Sequence, residues 1–161
     1  LSIGDALAVA ILNKKKINQT DFKKYHPSGN LGIKLRTVEE LMSVGNKIPF
    51  VDENLNMKKA LRILTQKKLG TLIVRNKNKI TTGIITDGNI RRLNQKTEDL
   101  KKLIVKSVMT KNPIYVEKEM LAEKALSIMN DQKITCVCVN KNKNKTIGIL
   151  HIHNILDTTI R

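Results

Sequence analysis

One short stretch near the middle of the chain combines the residue types that bind a small anion. Gly83-Ile84-Ile85 reads as a buried strand, and Thr86 follows it directly before two small polar residues and a helix. A strand that ends at the N-terminus of a helix leaves unpaired backbone N–H groups, which favour an anionic ligand. Arg91 and Arg92 lie in the first turns of that helix, and guanidinium groups pair bidentately with phosphate or carboxylate. The stretch therefore predicts a site for a doubly charged anion.

The same pattern returns near the C-terminus. Gly148–Asp157 repeats the order of Gly83–Arg92 with a constant offset of 65 residues. In this second copy His151 stands at the position of the hydroxyl residue, and His153 and Asn154 follow it. A repeat of this size predicts that the chain consists of two copies of one structural unit. Functional residues are then expected where the two copies meet.

Both copies predict the same order of strands and helices. Each begins with a short strand, continues with an amphipathic helix and a two-stranded hairpin, and ends with a helix that starts at the polar turn. The expected fold class is α/β (α+β), with two β-α-β-β-α units packed as a pseudo-twofold pair. The predicted elements are Ile48–Val51, helix Met57–Lys68 closed by Gly70, Thr71–Arg75, Ile80–Ile85 and a helix from Asp87, then Pro113–Val116, helix Leu121–Asp131, Ile134–Val139, Thr146–Leu150 and a helix from His153.

The residues before the first copy predict a helix that belongs in a larger structure. Ser2–Asp5 has the pattern of a capping box, and Ala6–Leu12 is apolar on most sides. A second short helix is expected from Thr20, followed by a turn at Pro27–Asn30. A helix with so little polar surface normally packs inside a domain, and the chain starts at Leu1 without a methionine. We therefore expect a fragment of a longer protein.

The chain is strongly basic, yet its composition argues against nucleic-acid binding. The formal net charge is +16, and lysine supplies 24 of the 30 basic residues. Arginine, which reads guanine edges, is scarce, and the few aromatic residues are isolated, so no stacking surface for bases is expected. The charge instead favours anionic small molecules through long-range attraction. No apolar run approaches the ~20 residues that span a bilayer, so no membrane segment is expected.

Two cysteines and two histidines near the C-terminus raise the question of a metal site. Cys136 and Cys138 are two residues apart in a strand, where they cannot bridge without distortion, so no disulfide is expected. Free cysteines suit a reducing cytoplasm. The hairpin pairing predicts apolar partners for both, which makes core cysteines more plausible than a zinc site with the histidines. The expected pairs are Val139 with Thr146, Cys136 with Ile149 and Cys138 with Ile147.

Each copy has a glycine, two apolar residues and a polar turn that ends in Asp or Asn. This tandem order resembles a pair of CBS domains, also called a Bateman module. The resemblance covers about Thr37 to Ile160. It implies two packed units with clefts between them that bind adenine nucleotides or related ligands and regulate an attached domain. In such pairs the hydroxyl position contacts phosphate or ribose, and the acidic position binds the ribose hydroxyls.

Further motifs resemble the C-terminal half of an arabinose-5-phosphate isomerase, in which a SIS sugar-phosphate domain precedes a CBS pair. The resemblance implies a parent enzyme that interconverts ribulose 5-phosphate and arabinose 5-phosphate for Kdo, lipopolysaccharide or capsule biosynthesis. It also implies that His26 takes part in ring opening or proton transfer in the full-length enzyme, while the fragment alone is inactive. The motifs are Gly4-Asp5-Ala6-Leu7-Ala8, His26-Pro27-Ser28-Gly29-Asn30-Leu31-Gly32, Met42 followed by Gly45, Thr86-Asp87-Gly88, Arg91-Arg92 and His151-Ile152-His153.

The expected ligand is a regulatory nucleotide or sugar nucleotide of the CMP-Kdo or AMP type, with no metal or other cofactor. Asn89 and Asn154 bring no charge to the acidic position, which argues against tight adenine-nucleotide binding. The alternative is that Thr86 and Asn89 only cap a helix and that the arginines form a solvated helix face. The candidate contacts are Thr86, Asp87, Asn89, Arg91, Arg92, His151, His153 and Asn154.

The domain organisation follows from the repeat and the resemblance. Residues 1–36 are expected to be the remnant of the isomerase domain and linker, 37–98 the first CBS domain and 99–161 the second. The expected partners are an anionic small molecule, the SIS domain of the same chain and a second CBS pair in a homodimer, giving a tetramer in the full-length cytoplasmic protein. The alternative function is a structural module that dimerises or tetramerises the enzyme and binds no small molecule.

Overall fold

A computed structural model of the chain shows two four-stranded sheets with helices, and it describes residues 3–16, 35–95, 99–141 and 145–157. The helices are α1 (Ile3–Lys14), α2 (Val38–Leu41), α3 (Met57–Lys67), α4 (Asp87–Asn94), α5 (Val105–Val108), α6 (Ala122–Asp131) and α7 (Ile152–Leu156), with 3-10 turns at Gly45–Lys47 and Leu100–Lys102. The strands are β1 (Ser43–Val44), β2 (Phe50–Asp52), β3 (Thr71–Arg75), β4 (Thr81–Thr86), β5 (Thr110–Lys111), β6 (Tyr115–Glu117), β7 (Cys136–Asn140) and β8 (Thr146–His151). The predicted α+β class with two β-α-β-β-α units is confirmed.

Each sheet is built mainly from one repeat and completed by a short strand from the other. The first sheet has the order β2-β3-β4-β5, and the second has the order β1-β8-β7-β6. In both, an antiparallel hairpin lies beside a parallel strand from its own repeat. β5 belongs to the second repeat but pairs with β4, and β1 belongs to the first repeat but pairs with β8. The short first strand of each repeat, its leading strand, thus joins the sheet of the other repeat. Neither sheet is complete without this exchange.

Glycines in the two longest strands make room for this exchange. At Gly83 a Cβ atom would lie 2.6 Å from Met109 Sδ and 2.8 Å from the carbonyl oxygen of Thr110. At Gly148 it would lie 3.0 Å from Met42 Cγ and would also overlap the sulfur. In both repeats a methionine next to the exchanged strand packs where the long strand has no side chain. The glycine of the repeated motif therefore serves strand packing.

The hydrophobic core also combines residues from both repeats. Among the described residues, one buried cluster packs α3 onto β3 and β4 and includes Val105 and Val108 of α5. A second packs α6 onto β7 and β8 and includes Val38 of α2. Each leading helix is therefore buried in the core of the opposite repeat. A third cluster contains residues of both sheets, Ile73 and Cys138 among them, and holds the repeats together.

Helix α3 has the predicted amphipathic character but a different end. Its start is capped by Asn56, whose side chain accepts a hydrogen bond from Lys58 N at 2.8 Å. The predicted closure at Gly70 is wrong, because Lys68 already adopts the left-handed C-cap conformation with a φ of 55°. Gly70 has a φ of +60°, and a Cβ there would lie 2.8 Å from Asp87 Oδ2. The glycine therefore leaves space for a carboxylate instead of closing the helix.

The second hairpin has a different register from the predicted one. A β-bulge between Val139 and Asn140 moves the pairing, so the predicted partners of Val139 and of both cysteines are wrong. Cys136 consequently lies opposite a histidine. Both cysteines are nevertheless buried and free, which confirms their predicted place in the core. The observed pairs are Cys136 with His151, Cys138 with Ile149, Val139 with Gly148 and Asn140 with Thr146.

Helix α1 confirms the predicted first helix and carries no buried residue. Ile3 and Leu7 are each more than half exposed. The helix predicted from Thr20, the turn at Pro27–Asn30 and the candidate catalytic residue His26 lie outside the described residues. Within the described ranges, no helix is long and apolar enough to cross a membrane.

Candidate functional site

A cavity of about 740 Å³ opens between the two repeats. The first repeat contributes the end of β4 and the first turns of α4. The second repeat contributes β5 and the residues after it, the segment that leads into β7 and the turn into α7. Small-molecule sites commonly measure about 300–1,000 Å³, so this cleft is large enough for a nucleotide.

The structure brings most of the predicted ligand contacts together in this cleft. Asn154 is the exception, because it is not among the lining residues. Its side-chain oxygen instead accepts a hydrogen bond from His151 N at 2.9 Å and caps α7. The seven predicted contacts that line the cleft are Thr86, Asp87, Asn89, Arg91, Arg92, His151 and His153.

Thr86 and Asn89 form a reciprocal cap at the start of α4. Thr86 Oγ1 accepts a hydrogen bond from Asn89 N at 3.3 Å, and Asn89 Oδ1 accepts one from Thr86 N at 2.9 Å. The Thr86 hydroxyl also donates to Asn89 Oδ1 at 2.8 Å. Asn89 Nδ2 donates to Thr110 Oγ1 at 3.2 Å and so ties α4 to the exchanged strand β5. Both residues therefore have a capping role in addition to their place in the cleft.

The charged side chains of the cleft have no protein partner in the part of the chain that the structure describes. Asp87, Arg91, Arg92 and Lys133 line the cleft and are exposed. None of the four forms an ion pair or a side-chain hydrogen bond with another described residue. An anion placed among the three cations would gain charge-assisted hydrogen bonds without breaking an existing pair.

His151 and His153 form the second-repeat side of the cleft. His151 Nδ1 accepts a hydrogen bond from His153 N at 3.3 Å, and the two rings stack with their centroids 5.1 Å apart. Burial lowers the pKa of His151, and the charge of His153 lowers it further. A proton on Nδ1 would remove the acceptor of the capping hydrogen bond, so the observed geometry requires the neutral imidazole.

The cysteines do not supply reactive groups to this site. Cys136 lines the back of the cleft, whereas Cys138 lies in the cluster between the sheets. Burial raises the pKa of Cys136, and burial together with Cys136 raises the pKa of Cys138 to about 12. Both are therefore neutral thiols near pH 7, which are poor nucleophiles and poor metal ligands. Among the residues placed by the structure, no group of three or more His, Cys, Asp or Glu could hold a metal ion.

The cleft also contains residues that the repeated motif did not indicate. Thr110 and Asn112 reach it because β5 is exchanged into the first sheet. Lys133 reaches it from the end of α6, where it has a left-handed φ of 53°. The repeat offers one signal for it, since Lys68 lies 65 residues earlier and is also left-handed. The contribution of β5 depends on long-range pairing, which has no local sequence signal.

Comparison with known proteins identifies the repeated unit. The family model of the CBS domain matches residues 38–96 and 105–160, one match for each repeat. The chain belongs to the CBS domain family. Its two copies form a CBS pair, and the cleft lies between them.

Curated relatives of this CBS pair include arabinose 5-phosphate isomerases. The chain is 37% identical over 162 residues to KdsD of Francisella tularensis and 38% identical over 157 residues to KdsD of Escherichia coli strain K12. These matches cover 100% and 97% of the chain, but 49% and 48% of the relatives. The chain thus spans about half the length of the curated relatives that it matches.

Solved structures share the fold of the CBS pair. CBSX2 in complex with AMP matches with a TM-score of 0.68 and 25% identity. The match covers 77% of this chain and 96% of CBSX2. A second structure, CBSX2 from Arabidopsis thaliana, matches with a TM-score of 0.66 and 23% identity. The predicted tandem arrangement is therefore one that these neighbours also adopt.

Proposed function

We propose that this CBS pair senses an anionic nucleotide or sugar nucleotide and regulates an arabinose-5-phosphate isomerase of which it is a part. The observation that carries the proposal is the cleft of about 740 Å³, into which Arg91, Arg92 and Lys133 project without a partner among the described residues. Unpaired cations around a cavity favour phosphate and carboxylate groups. The formal net charge of +16 adds a long-range attraction for anions.

The relatives support the enzymatic context of the proposal. The chain aligns along its length with KdsD enzymes and covers about half of each. In the proposed parent protein, a SIS domain on the same chain interconverts ribulose 5-phosphate and arabinose 5-phosphate in the cytoplasm for Kdo and lipopolysaccharide biosynthesis. His26 acts only in that full-length enzyme, and the CBS pair by itself is inactive.

The charges of the cleft favour a sugar nucleotide over a simple nucleotide. CMP-Kdo, the activated product of the pathway, carries a phosphate and a carboxylate, and the cleft offers three unpaired cationic side chains. AMP, which CBSX2 binds, carries a phosphate but no carboxylate. We therefore expect CMP-Kdo to bind more tightly than AMP, because its negative charges lie on two separate groups that can reach cations in different parts of the cleft, whereas those of AMP lie on one phosphate.

Isothermal titration calorimetry with CMP-Kdo, AMP and ATP tests the sensing function. The wild-type chain should bind CMP-Kdo most tightly, and the double variant Arg91→Gln/Arg92→Gln should lose most of the heat while keeping its melting temperature. Because both arginines are exposed, their replacement should not disturb the core. No heat from any of the three compounds at millimolar concentration would contradict the sensing function and favour a module that only assembles the enzyme.

The regulatory part of the proposal requires the full-length enzyme. The isomerase rate should change when CMP-Kdo is added, and the same double variant should abolish that change without altering the basal rate. An unchanged rate in the wild-type enzyme at a saturating CMP-Kdo concentration would show that binding and activity are not coupled.

A further inference from the structure

Asn89, which stands at the acidic position of the motif, has few hydrogen-bonding groups left for a ligand. Its Oδ1 accepts hydrogen bonds from Thr86 N at 2.9 Å and from the Thr86 hydroxyl at 2.8 Å. Its Nδ2 donates to Thr110 Oγ1 at 3.2 Å. An amide oxygen has two lone pairs, so the acceptor of Asn89 is already fully used. The residue therefore positions the turn and β5.

Asp87, two residues earlier in the same turn, has the hydrogen-bond acceptors for a ligand that Asn89 lacks. Its carboxylate is exposed, lines the cleft and makes no hydrogen bond or ion pair with another described residue. The space that it occupies exists because Gly70 has no side chain, since a Cβ there would lie 2.8 Å from Asp87 Oδ2. An ionised carboxylate only accepts hydrogen bonds and can bind two neighbouring hydroxyl groups.

The two arginines of α4 are not equivalent. Arg92 Nη1 and Nη2 lie 3.7 and 3.9 Å from the position that a Cβ on Gly88 would occupy, so this guanidinium folds back over the first turn of the helix. Thr86 Oγ1 lies 3.6 Å from the same position. Residues four apart share a helix face, whereas Arg91 points about 100° away around the axis. Arg92 is thus the arginine placed beside the capped turn.

We propose that Arg92 binds the anionic group of the ligand and that Asp87 binds its hydroxyl groups, while Asn89 is a positioning residue. This assignment rests on the proposed sensing function and specifies the ligand class as an anion that carries free hydroxyl groups at its other end. Ribonucleotides and sugar nucleotides have this arrangement. A ligand with charge alone, such as pyrophosphate, gains from Arg92 but is repelled by Asp87.

The test measures affinities for CMP-Kdo and for inorganic pyrophosphate by calorimetry, with AMP in place of CMP-Kdo if the wild type binds AMP more tightly. Arg92→Gln should weaken CMP-Kdo binding by about tenfold or more, whereas the matched control Arg91→Gln should weaken it by less than about threefold. Asp87→Asn should weaken CMP-Kdo binding by about tenfold and strengthen pyrophosphate binding. These opposite changes in affinity distinguish a hydroxyl contact from simple charge repulsion. With repulsion alone, Asp87→Asn would strengthen the binding of CMP-Kdo and of pyrophosphate.

Each outcome has a distinct meaning. Equal losses for the two arginine variants, or tighter CMP-Kdo binding by Asp87→Asn, would overturn the assignment while leaving the sensing function intact. Absence of any nucleotide binding to the wild-type chain would contradict the sensing function, and the assignment with it. Melting curves of all variants confirm folding, which exposed positions 87, 91 and 92 should leave unchanged.

Discussion

The two repeats share one fold, but the turns that they present to the cleft differ in charge. The first repeat follows its strand with Thr86 and later places Arg91 and Arg92 on the helix, whereas Leu156 and Asp157 occupy the arginine positions of the second repeat. The second repeat therefore has an apolar residue and a carboxylate where the first has two cations. A symmetric fold thus has asymmetric electrostatics, because both arginines that line the cleft belong to the first repeat.

A second difference lies in the leading segments. The equivalent residues Val38 and Val105 begin the leading helices and are 67 positions apart, whereas equivalent residues later in the two repeats are 65 apart. The segment that leads into the first repeat is therefore longer by two residues. They fall in the 3-10 turn Gly45–Lys47, where Lys67 Nζ donates to the carbonyl oxygen of Asn46. In the second repeat Asn112 alone fills this connection and lines the cleft. The two sides of the molecule therefore differ in shape as well as in charge.

The largest effect is expected from the glycines that accommodate the exchanged strands. Gly83→Ala should destabilise the chain by about 3 kcal/mol, because the new methyl group meets a backbone carbonyl as well as Met109. Gly148→Ala should cost only about 1 kcal/mol, because the three atoms nearest to the new methyl group all belong to the side chain of Met42, which can move. Urea denaturation of both variants measures the difference. Equal losses would show that the two exchanges are equally rigid.

A smaller effect is expected from the histidine that caps the second repeat. The native state holds His151 with a pKa below its ordinary value because of burial and His153, so the unfolded chain binds the proton more readily. Its contribution to stability is therefore present above about pH 6.5 and declines as the pH falls toward the lowered native pKa. His151→Thr recreates the cap of the first repeat without a titrating group.

Thermal melts between about pH 7.5 and pH 5 check this prediction. The wild-type melting temperature should fall more steeply with decreasing pH than that of His151→Thr. Parallel curves would mean that protonation of His151 leaves the cap intact. The other titrating groups are shared by both proteins, so the difference between the curves reports on His151 together with its interaction with His153.

The smallest effect is expected where the repeats differ by one hydroxyl group. Tyr115 and Phe50 occupy equivalent positions, and the buried Tyr115 hydroxyl lies near the side chains of Thr81 and Thr146 but makes no hydrogen bond of normal geometry with a described residue. Tyr115→Phe should therefore stabilise the chain by up to about 1 kcal/mol, because an unsatisfied buried hydroxyl is removed. Urea denaturation measures the change, and a loss of stability would show that the hydroxyl has a partner. At Phe50 the ring carries the Arg75 guanidinium 3.5 Å above its centroid, so this position is not interchangeable with Tyr115.

Much of the fold was predictable from local patterns. The hairpin strand Thr71–Arg75 has the predicted bounds, and α3 and α6 differ from their predictions by one residue. Periodicity and turn residues report such elements because their hydrogen bonds are short in sequence. The register of the second hairpin was missed because of the bulge between Val139 and Asn140, which recurs between Val74 and Arg75 of the first hairpin. The C-cap at Lys68 was missed because lysine rarely adopts a left-handed conformation.

The sequence by itself determined that the chain is a repeat, that each repeat ends in a polar turn before a helix, and that Arg91 and Arg92 lie near that turn. These properties depend on residue order alone. Only the tertiary structure decided that β1 and β5 change places and that Lys133 joins the cleft. It also decided that the side chain of Asn89 is hydrogen-bonded to Thr86 and Thr110, whereas the carboxylate of Asp87 has no partner among the described residues. Those outcomes depend on contacts between segments far apart in the chain, and their energies have no signature in the local sequence.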